Sequence, residues 1–230
     1  MAVFDRLPFD GITFFDVGAN YGYYSLMLAS RCENHHVVAF EPHPKNLQYL
    51  RWNTSMNGFD FQISPKAVSN AVGEAVLYYL DHDDNKTLAS DKFYPDYEQP
   101  PEILDKLTVE TTTLEATVDD LNFESVDCVK VDVEGAEHLV LEGVRSWERF
   151  DGFLVELHGT RMVDFGTAIG DIPKMMSERG FEVVVSEKTG GPKFARIQET
   201  NLEQNGYYHL LALRPTTPVH SHLMPHIISG

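Results

Sequence analysis

The stretch Phe14-Phe15-Asp16-Val17-Gly18-Ala19-Asn20-Tyr21-Gly22-Tyr23-Tyr24-Ser25-Leu26 decides the fold of this chain. It begins as a run typical of a buried strand, turns at two glycines, and continues as a helix. Gly18 and Gly22 allow a sharp turn and a close approach of the backbone to a ligand. Asp16 places a carboxylate at the end of the strand. The pattern indicates a nucleotide-cofactor site at this turn.

The spacing of the glycines separates two kinds of cofactor. Here it is Asp-x-Gly-x-x-x-Gly, whereas dinucleotide-binding enzymes use Gly-x-Gly-x-x-Gly to bring backbone N–H groups onto a pyrophosphate. S-adenosylmethionine has no phosphate and carries a positive sulfonium and ammonium, which a carboxylate such as Asp16 suits. The spacing therefore favours S-adenosylmethionine, and a nicotinamide-dependent oxidoreductase is the less favoured enzyme alternative.

A second acidic residue follows the next predicted strand. The apolar run Val37-Val38-Ala39-Phe40 leads directly into Glu41 and Pro42. In nucleotide-binding folds an acidic residue at the end of the second strand, about 20 residues beyond the glycine turn, accepts hydrogen bonds from ribose hydroxyls. Glu41 is therefore predicted to hold the ribose of the cofactor.

Composition limits the partners and the compartment. The 230 residues are 43% apolar, which is enough for the core of one α/β domain, and 18 Lys and Arg face 35 Asp and Glu for a formal net charge of −17. Such a field repels phosphate backbones and anionic lipid, so neither nucleic acid nor a membrane is an expected partner. Neither a run of 18 apolar residues nor a signal-peptide pattern is present, and the cytoplasm is the expected compartment. Oligomeric state is left open.

Strand-like and helix-like segments alternate along most of the chain. This alternation predicts an α/β fold with a doubly wound, Rossmann-like sheet in a single domain over residues 1–214. Residues 81–107 are rich in Asp and Pro and are predicted to be a lid or loop insertion, with a solvated excursion of no functional role as the alternative. Residues 215–230 are predicted to be a frayed C-terminal tail, in which His220, His222 and His226 are not expected to bind a metal.

Six ordered motifs carry a family resemblance. They are Asp16-Val17-Gly18-Ala19-Asn20 with Gly22, Val38-Ala39-Phe40-Glu41-Pro42, Ala67-Val68-Ser69 with Gly73, Thr117-Val118-Asp119-Asp120-Leu121, Val129-Lys130-Val131-Asp132-Val133-Glu134-Gly135-Ala136-Glu137, and Phe153-Leu154-Val155-Glu156-Leu157-His158. Together they resemble the FkbM-type methyltransferases, a family within the class I S-adenosylmethionine-dependent enzymes. An ordered set of motifs is more specific than any one of them.

The resemblance implies a fold, a cofactor and a reaction. The implied fold is a seven-stranded sheet whose last strand is antiparallel, with S-adenosyl-L-methionine across the carboxyl ends of the first strands. The implied reaction is O-methylation of a hydroxyl on a sugar, glycan or other secondary metabolite. The residues predicted to contact the cofactor are Asp16, Gly18, Ala19, Asn20, Tyr21, Gly22, Glu41, Pro42, Ala67, Val68 and Asp132.

Catalytic candidates lie at the ends of two predicted strands. Side chains two residues apart in a strand share a face, so Asp132 is grouped with Glu134, and Glu156 with His158. Asp132 is predicted to orient the cofactor or acceptor, and Glu134 to face the acceptor. His158 is either a general base or a residue that caps its strand, and Asp132 and Glu134 compete with it for the role of base.

A non-catalytic module that binds S-adenosylmethionine is the alternative outside the enzymes. Its expected feature is the absence of carboxylates from the two strand ends, and the chain has them. Asp132, Glu156 and His158 are also acceptable ligands for a divalent cation, so a metal-assisted site is a further alternative to the metal-free site that we prefer.

Two more charged residues lie near these strand ends. Lys130 falls inside a central strand, where an ammonium is costly unless a carboxylate compensates it, so we expect it near Asp16 or Glu156. Glu137 is expected only to interact with the dipole of the helix that begins there.

Overall fold

The computed structural model describes residues 11–31, 34–80, 86–87, 103–187, 194–197 and 201–228. The strands among them are β1 (Thr13–Val17), β2 (His36–Phe40), β3 (Gln62–Ser64), β4 (Ala67–Val68), β5 (Gly73–Leu80), β6 (Lys86–Thr87), β7 (Ile103–Thr112), β8 (Cys128–Val131), β9 (Gly152–His158), β10 (Glu182–Glu187), β11 (Ala195–Arg196) and β12 (Tyr207–Leu213). The helices are α1 (Tyr23–Ala29), α2 (Pro44–Met56), α3 (Leu114–Asp120), α4 (Glu137–Glu142), α5 (Gly159–Asp164), α6 (Asp171–Glu178) and α7 (Pro218–Ile228), with a short 3-10 turn at Trp147–Arg149.

The main sheet has the strand order β3-β2-β1-β8-β9-β12-β10-β11. Strands β3, β2, β1, β8 and β9 are parallel, while β12 runs antiparallel to both of its neighbours, β9 and β10. The expected seven strands with an antiparallel last strand are thus confirmed. The two-residue strand β11 adds an eighth at the edge, antiparallel to β10.

Both faces of the main sheet are buried. On one face Phe15, Val131 and Val155 pack in a large cluster that includes residues of α3, α4 and α6. On the other face Phe14 and Cys128 belong to a second cluster, in which residues of α1 and α7 take part. Since neighbouring residues of one strand enter opposite clusters, the sheet is doubly wound, as the alternation of strands and helices predicted.

A second, smaller sheet has the order β4-β7-β5-β6. It corrects part of the predicted 81–107 loop, because Lys86–Thr87 and Ile103–Leu107 lie in strands β6 and β7. The Asp and Pro content of the segment concealed the alternation of Leu107 and Val109, which pack toward Leu77 of β5. Pairing along β5 satisfies the backbone of β7. Residues 81–85 and 88–102 of the predicted lid lie outside the described residues.

The predicted frayed tail is wrong for residues 218–228. They form α7, whose side chains Val219, Leu223 and Ile227 are buried against the sheet at a spacing of four residues. Thr217 begins the helix by accepting a hydrogen bond from the backbone N–H of His220. Burial of this apolar stripe outweighs the prolines that suggested a tail. Among the described residues, none of these helices is long and apolar enough to cross a bilayer.

Candidate active site

The glycine turn after β1 brings two strand ends into contact. Gly18 has a φ of 75°, and a Cβ there would lie 1.9 Å from the backbone oxygen of Asp132. Only glycine fits both the left-handed conformation and this approach. The backbone N–H groups of Gly18 and Ala19 both donate to the carbonyl of Phe40, which ties the turn to the end of β2.

Asp16 points into the protein beside the turn. Its Oδ2 accepts hydrogen bonds from the backbone N–H of Ser25 at 3.1 Å and from the Ser25 hydroxyl at 2.6 Å. Its Oδ1 lies 3.4 Å from Nζ of Lys130. The carboxylate is fully buried, and these contacts fix the beginning of α1 relative to β1.

Lys130 links the buried carboxylates to the turn. Its ammonium donates to the carbonyl of Gly18 at 2.9 Å and lies 3.4 Å from both Asp16 and Asp132. Burial alone would lower the pKa of Lys130, but the charges of Asp132 and Asp16 raise that pKa above its ordinary value. The expectation that this lysine pairs with Asp16 is confirmed. Lys130 therefore holds the Asp132 side chain in place.

Glu41 connects the turn to α2. Its Oε2 accepts from the backbone N–H of Asn20 at 2.8 Å, and its Oε1 accepts from that of His43 at 2.9 Å. Helix α2 begins directly afterwards, with Pro44 in its first turn as the sequence indicated.

A cleft opens over these strand ends, and the empty space in it, open solvent included, is about 680 Å³. Seven of the eleven residues predicted to bind the cofactor line it: Gly18, Asn20, Glu41, Pro42, Ala67, Val68 and Asp132. Sequence reasoning missed Asn46, Lys66 and Leu77, which also line it. Asn46 and Lys66 lie close in sequence to predicted site residues, whereas Leu77 reaches the cleft through the second sheet, a long-range pairing that no local motif reports.

The other four predicted cofactor residues are not among those that line this cleft. Asp16 binds Ser25 as described, and Ala19 packs in a small cluster with Leu50. Gly22 approaches Leu50 so closely that a Cβ would lie 2.4 Å from its Cδ1. The carbonyl of Tyr21 accepts from the Asn53 amide at 2.9 Å. In this structure these residues shape the turn.

Of the four predicted catalytic residues, the three carboxylates contact the imidazole of the fourth, His158. His158, buried at the end of β9, has its Nε2 3.3 Å from Glu134 Oε2, 3.6 Å from Glu156 Oε1 and 3.8 Å from Asp132 Oδ1. Its Nδ1 lies 2.9 Å from Oε1 of Glu137. We call Asp132, Glu134, Glu137, Glu156 and His158 the strand-end cluster.

The carboxylates control the charge of His158. Burial would lower its pKa, but the hydrogen bond to Glu137 and the charges of Glu137, Glu134 and Asp132 raise the pKa of His158 to about 9. At neutral pH this environment favours the imidazolium, which has no lone pair to accept a proton. The arrangement therefore favours a carboxylate of the cluster as the proton acceptor.

Glu134 adopts a conformation that is uncommon for a residue with a side chain. Its φ is 58°. Gly135 follows with a φ of 109°, and a Cβ at Gly135 would lie 2.7 Å from Cβ of Arg161. Arg161 donates a hydrogen bond to Oε2 of Glu134. Burial raises the pKa of Glu134, although His158 and Arg161 partly oppose this effect. Left-handed non-glycine residues are often found at functional positions.

Glu137 has a role that sequence reasoning missed. It is fully buried and accepts from the backbone N–H of Gly135 at 3.0 Å as well as contacting His158. The expectation that it only interacts with a helix dipole is wrong, because its carboxylate fixes the orientation of the imidazole. The sequence feature that could have indicated this role is the position of Glu137 three residues after Glu134, across a glycine turn.

The sheet order, the glycine turn and the cleft above it define a class I methyltransferase domain. The model of the family described as "Methyltransferase FkbM domain" matches residues 16–183. The chain belongs to the FkbM methyltransferase family, and it is an S-adenosylmethionine-dependent methyltransferase.

Curated relatives agree with this assignment. The chain is 29% identical over 210 residues to "Methyltransferase 1" of Beauveria bassiana (strain ARSEF 2860), covering 82% of this chain and 80% of the relative. It is 27% identical over 205 residues to "31-O-demethyl-FK506 methyltransferase FkbM" of Streptomyces tacrolimicus, covering 77% and 75%.

A solved structure supports the fold. The "Precorrin-6y C5,15-methyltransferase" of Geobacter metallireducens GS-15 has a TM-score of 0.51 and 13% identity, covering 93% of this chain and 86% of the other. At this identity the likeness concerns the fold alone.

Proposed function

We propose that this chain transfers a methyl group from S-adenosylmethionine to a hydroxyl of a small molecule or glycan, such as a sugar or another secondary metabolite. The observation that carries the proposal is that Asp132 and Glu134 belong both to the cleft lining and to the strand-end cluster. This places candidate proton acceptors directly beside the cleft proposed to hold the methyl donor.

The residues of the cleft fit the cofactor. Glu41, which lines the cleft, is proposed to bind the ribose hydroxyls, the turn from Gly18 to Asn20 to hold the methionine end, and Ala67 with Val68 to form an apolar wall for adenine. When bound, S-adenosylmethionine supplies a methyl carbon that the acceptor oxygen binds as that oxygen loses its proton, while the carbon–sulfur electron pair stays on sulfur.

The chain then has to orient the hydroxyl, exclude water and remove one proton. Glu134 is proposed as the base, because it lines the cleft and its raised pKa makes it a better proton acceptor than an ordinary carboxylate. Asp132, fixed by Lys130, is proposed to orient the cofactor or acceptor. His158 lies between Glu134 and Glu156, in contact with both carboxylates.

Charge supports the choice of acceptor. The net charge of −17 and the carboxylates at the cleft disfavour a phosphate-rich acceptor and suit a neutral or cationic one. The name of the Streptomyces relative describes O-methylation of a small molecule, which agrees with a hydroxyl acceptor.

The test is transfer of an isotopically labelled methyl group from S-adenosylmethionine to a panel of hydroxylated small molecules and glycans, with RNA as a separate arm. We expect label on at least one hydroxylated acceptor and none on RNA. Label on RNA alone, or cofactor binding without transfer to any acceptor, would contradict the proposal. The second result would favour a non-catalytic module.

A further inference from the structure

The strand-end cluster has the dimensions of a metal site. One ligand atom each from Asp132, Glu134 and His158 lies within 4.8 Å of the others. Ligand atoms about 2.1 Å from a divalent ion lie about 3.0 Å apart as neighbours in an octahedral site and about 3.4 Å apart in a tetrahedral one. The distances of 3.3 to 3.8 Å around Nε2 of His158 come close to these values.

The imidazole is oriented as in a metal site. His158 is nine-tenths buried or more, and Nδ1 is held by the fully buried carboxylate of Glu137. Within the described residues Nε2 makes ion-pair contacts but no hydrogen bond, and it points toward the oxygens of Glu134, Asp132 and Glu156. A carboxylate behind one ring nitrogen, with the other nitrogen directed at oxygens, is the usual arrangement of histidine ligands.

The charges also favour a cation. Four carboxylates contact His158, and the guanidinium of Arg161 and the ammonium of Lys130 contact two of them, Glu134 and Asp132. Packing so many carboxylates against one imidazole in a largely buried place is costly unless positive charge compensates them. A dication at Nε2 supplies that charge where the oxygens converge.

We propose that Asp132, Glu134 and His158 bind a divalent cation, which takes the place of the Nε2 proton that His158 releases to solvent, with Glu137 positioning the imidazole. Mixed carboxylate and imidazole ligands suit an ion such as Mn²⁺, which accepts both. The sequence alone favoured a metal-free site. The placement of the side chains favours an ion bound at the edge of the cleft, because Asp132 and Glu134 also line it.

The catalytic role of this ion rests on the proposed function, whereas its binding does not. An ion at this place ligates the acceptor hydroxyl and lowers the hydroxyl pKa by Lewis acidity. Glu134 is then a ligand, so the proton passes to Glu156, the remaining carboxylate that faces Nε2. The ion itself undergoes no redox change.

The experiment is a titration of the full chain with Mn²⁺, in which the electron paramagnetic resonance signal of the free hydrated ion reports the unbound fraction. We expect saturable binding of one Mn²⁺ per chain. His158→Ala should abolish it, and Glu137→Gln should weaken it about 10- to 100-fold, as expected for loss of a carboxylate that orients a histidine ligand. Because His158→Ala removes a buried group, Asp132→Asn repeats the test with a smaller change and should weaken binding at least about tenfold.

The matched control is His220→Ala. This histidine lies on α7, away from the cleft, and pairs with Glu182 of β10. The variant should bind Mn²⁺ like the unaltered chain, which separates the site from general attraction to an acidic surface. Absence of saturable binding, or equal binding by the Asp132→Asn variant, would overturn the cation site. Methyl transfer at full rate in a chelator would overturn the ion's catalytic role and leave the proposed function standing. If Mn²⁺ binds at the cluster but no hydroxyl is methylated, the cation site stands and the proposed function is overturned.

Discussion

The glycine turn and the strand-end cluster are two halves of one cleft, and they are built by different means. At the turn, the backbone N–H groups of Asn20 and His43 donate hydrogen bonds to the carboxylate of Glu41, so the main chain fixes the position of this side chain. At the cluster, side chains from two separate segments, residues 132–137 and 156–158, meet around the imidazole of His158.

The difference leads us to expect that cofactor binding and acceptor chemistry are separable in this molecule. Lys130 is the bridge, since it contacts the carbonyl of Gly18 on one side and Asp132 on the other. A change in the cluster should therefore alter turnover with little effect on cofactor affinity, and a change in the turn should do the reverse. The predictions below test that separation.

The largest effect is expected at Glu134. Glu134→Gln removes the carboxylate proposed as proton acceptor, or as ligand where a cation is bound, while keeping the size of the side chain. Loss of a general base costs typically about 10²- to 10⁴-fold in rate. We expect kcat to fall by that factor and the dissociation constant of S-adenosylmethionine to stay nearly constant. Steady-state kinetics and calorimetry on the same preparation measure both. The matched control is Glu178→Gln, at an exposed glutamate of α6, which should keep full turnover.

A second effect tests the turn through its backbone. Gly18→Ala places a Cβ against the carbonyl of Asp132 at a positive φ, and we expect about 3 kcal/mol of lost stability from strain and overpacking together. Gly58→Ala is the matched control, because Gly58 has a φ of 69° but no atom within 4 Å of the added Cβ. It should lose only about 1 kcal/mol. Equal losses in urea denaturation would show that the contact with Asp132 does not matter.

The proposed contact of Glu41 with the ribose should give an intermediate effect. Glu41→Ala removes hydrogen bonds to a charged group, each worth about 1.5–3 kcal/mol, so the dissociation constant of S-adenosylmethionine should rise about 10- to 150-fold. Because Glu41 also joins the turn to α2, stability must be measured in parallel. An unchanged affinity in a folded variant would mean that Glu41 holds only the backbone.

The smallest effect lies outside both halves, in the anchor of α7. The hydrogen bond from His220 lowers the pKa of Glu182. Stability from this contact is therefore present above the ordinary carboxyl pKa and is lost as pH falls through the lowered value. His220→Ala should cost about 0.5 kcal/mol near about pH 6 and progressively less as the pH falls below the ordinary carboxyl pKa. Denaturant titrations across this pH range measure the difference, and a constant cost would contradict the assignment.

The sequence predicted the turn half better than the cluster half, and the reason is physical. A glycine at positive φ, a proline at a helix start and an acidic residue after a strand are local signals, so Gly18, Pro44 and Glu41 were found directly. The strand ends were found as well, because parallel strands end at one edge of a sheet.

What the sequence could not show depends on contacts between distant residues. The buried contact of Glu137 with His158 spans 21 positions, and Leu77 lines the cleft through its pairing with Leu107 in the second sheet. Helix α7 was missed because its prolines received more weight than the spacing of Val219 and Leu223. In each case burial by another segment decided the outcome.

The most direct test of the central claim is the position of the transferred methyl group. With ¹³C-methyl S-adenosylmethionine and an accepted substrate, a ¹³C–¹H correlation spectrum identifies the atom to which the new methyl is bonded. The account predicts a methyl ether on oxygen, formed by the unaltered chain and at least about 100-fold more slowly by Glu134→Gln. A methyl on nitrogen or carbon, or equal rates for the two proteins, would contradict it.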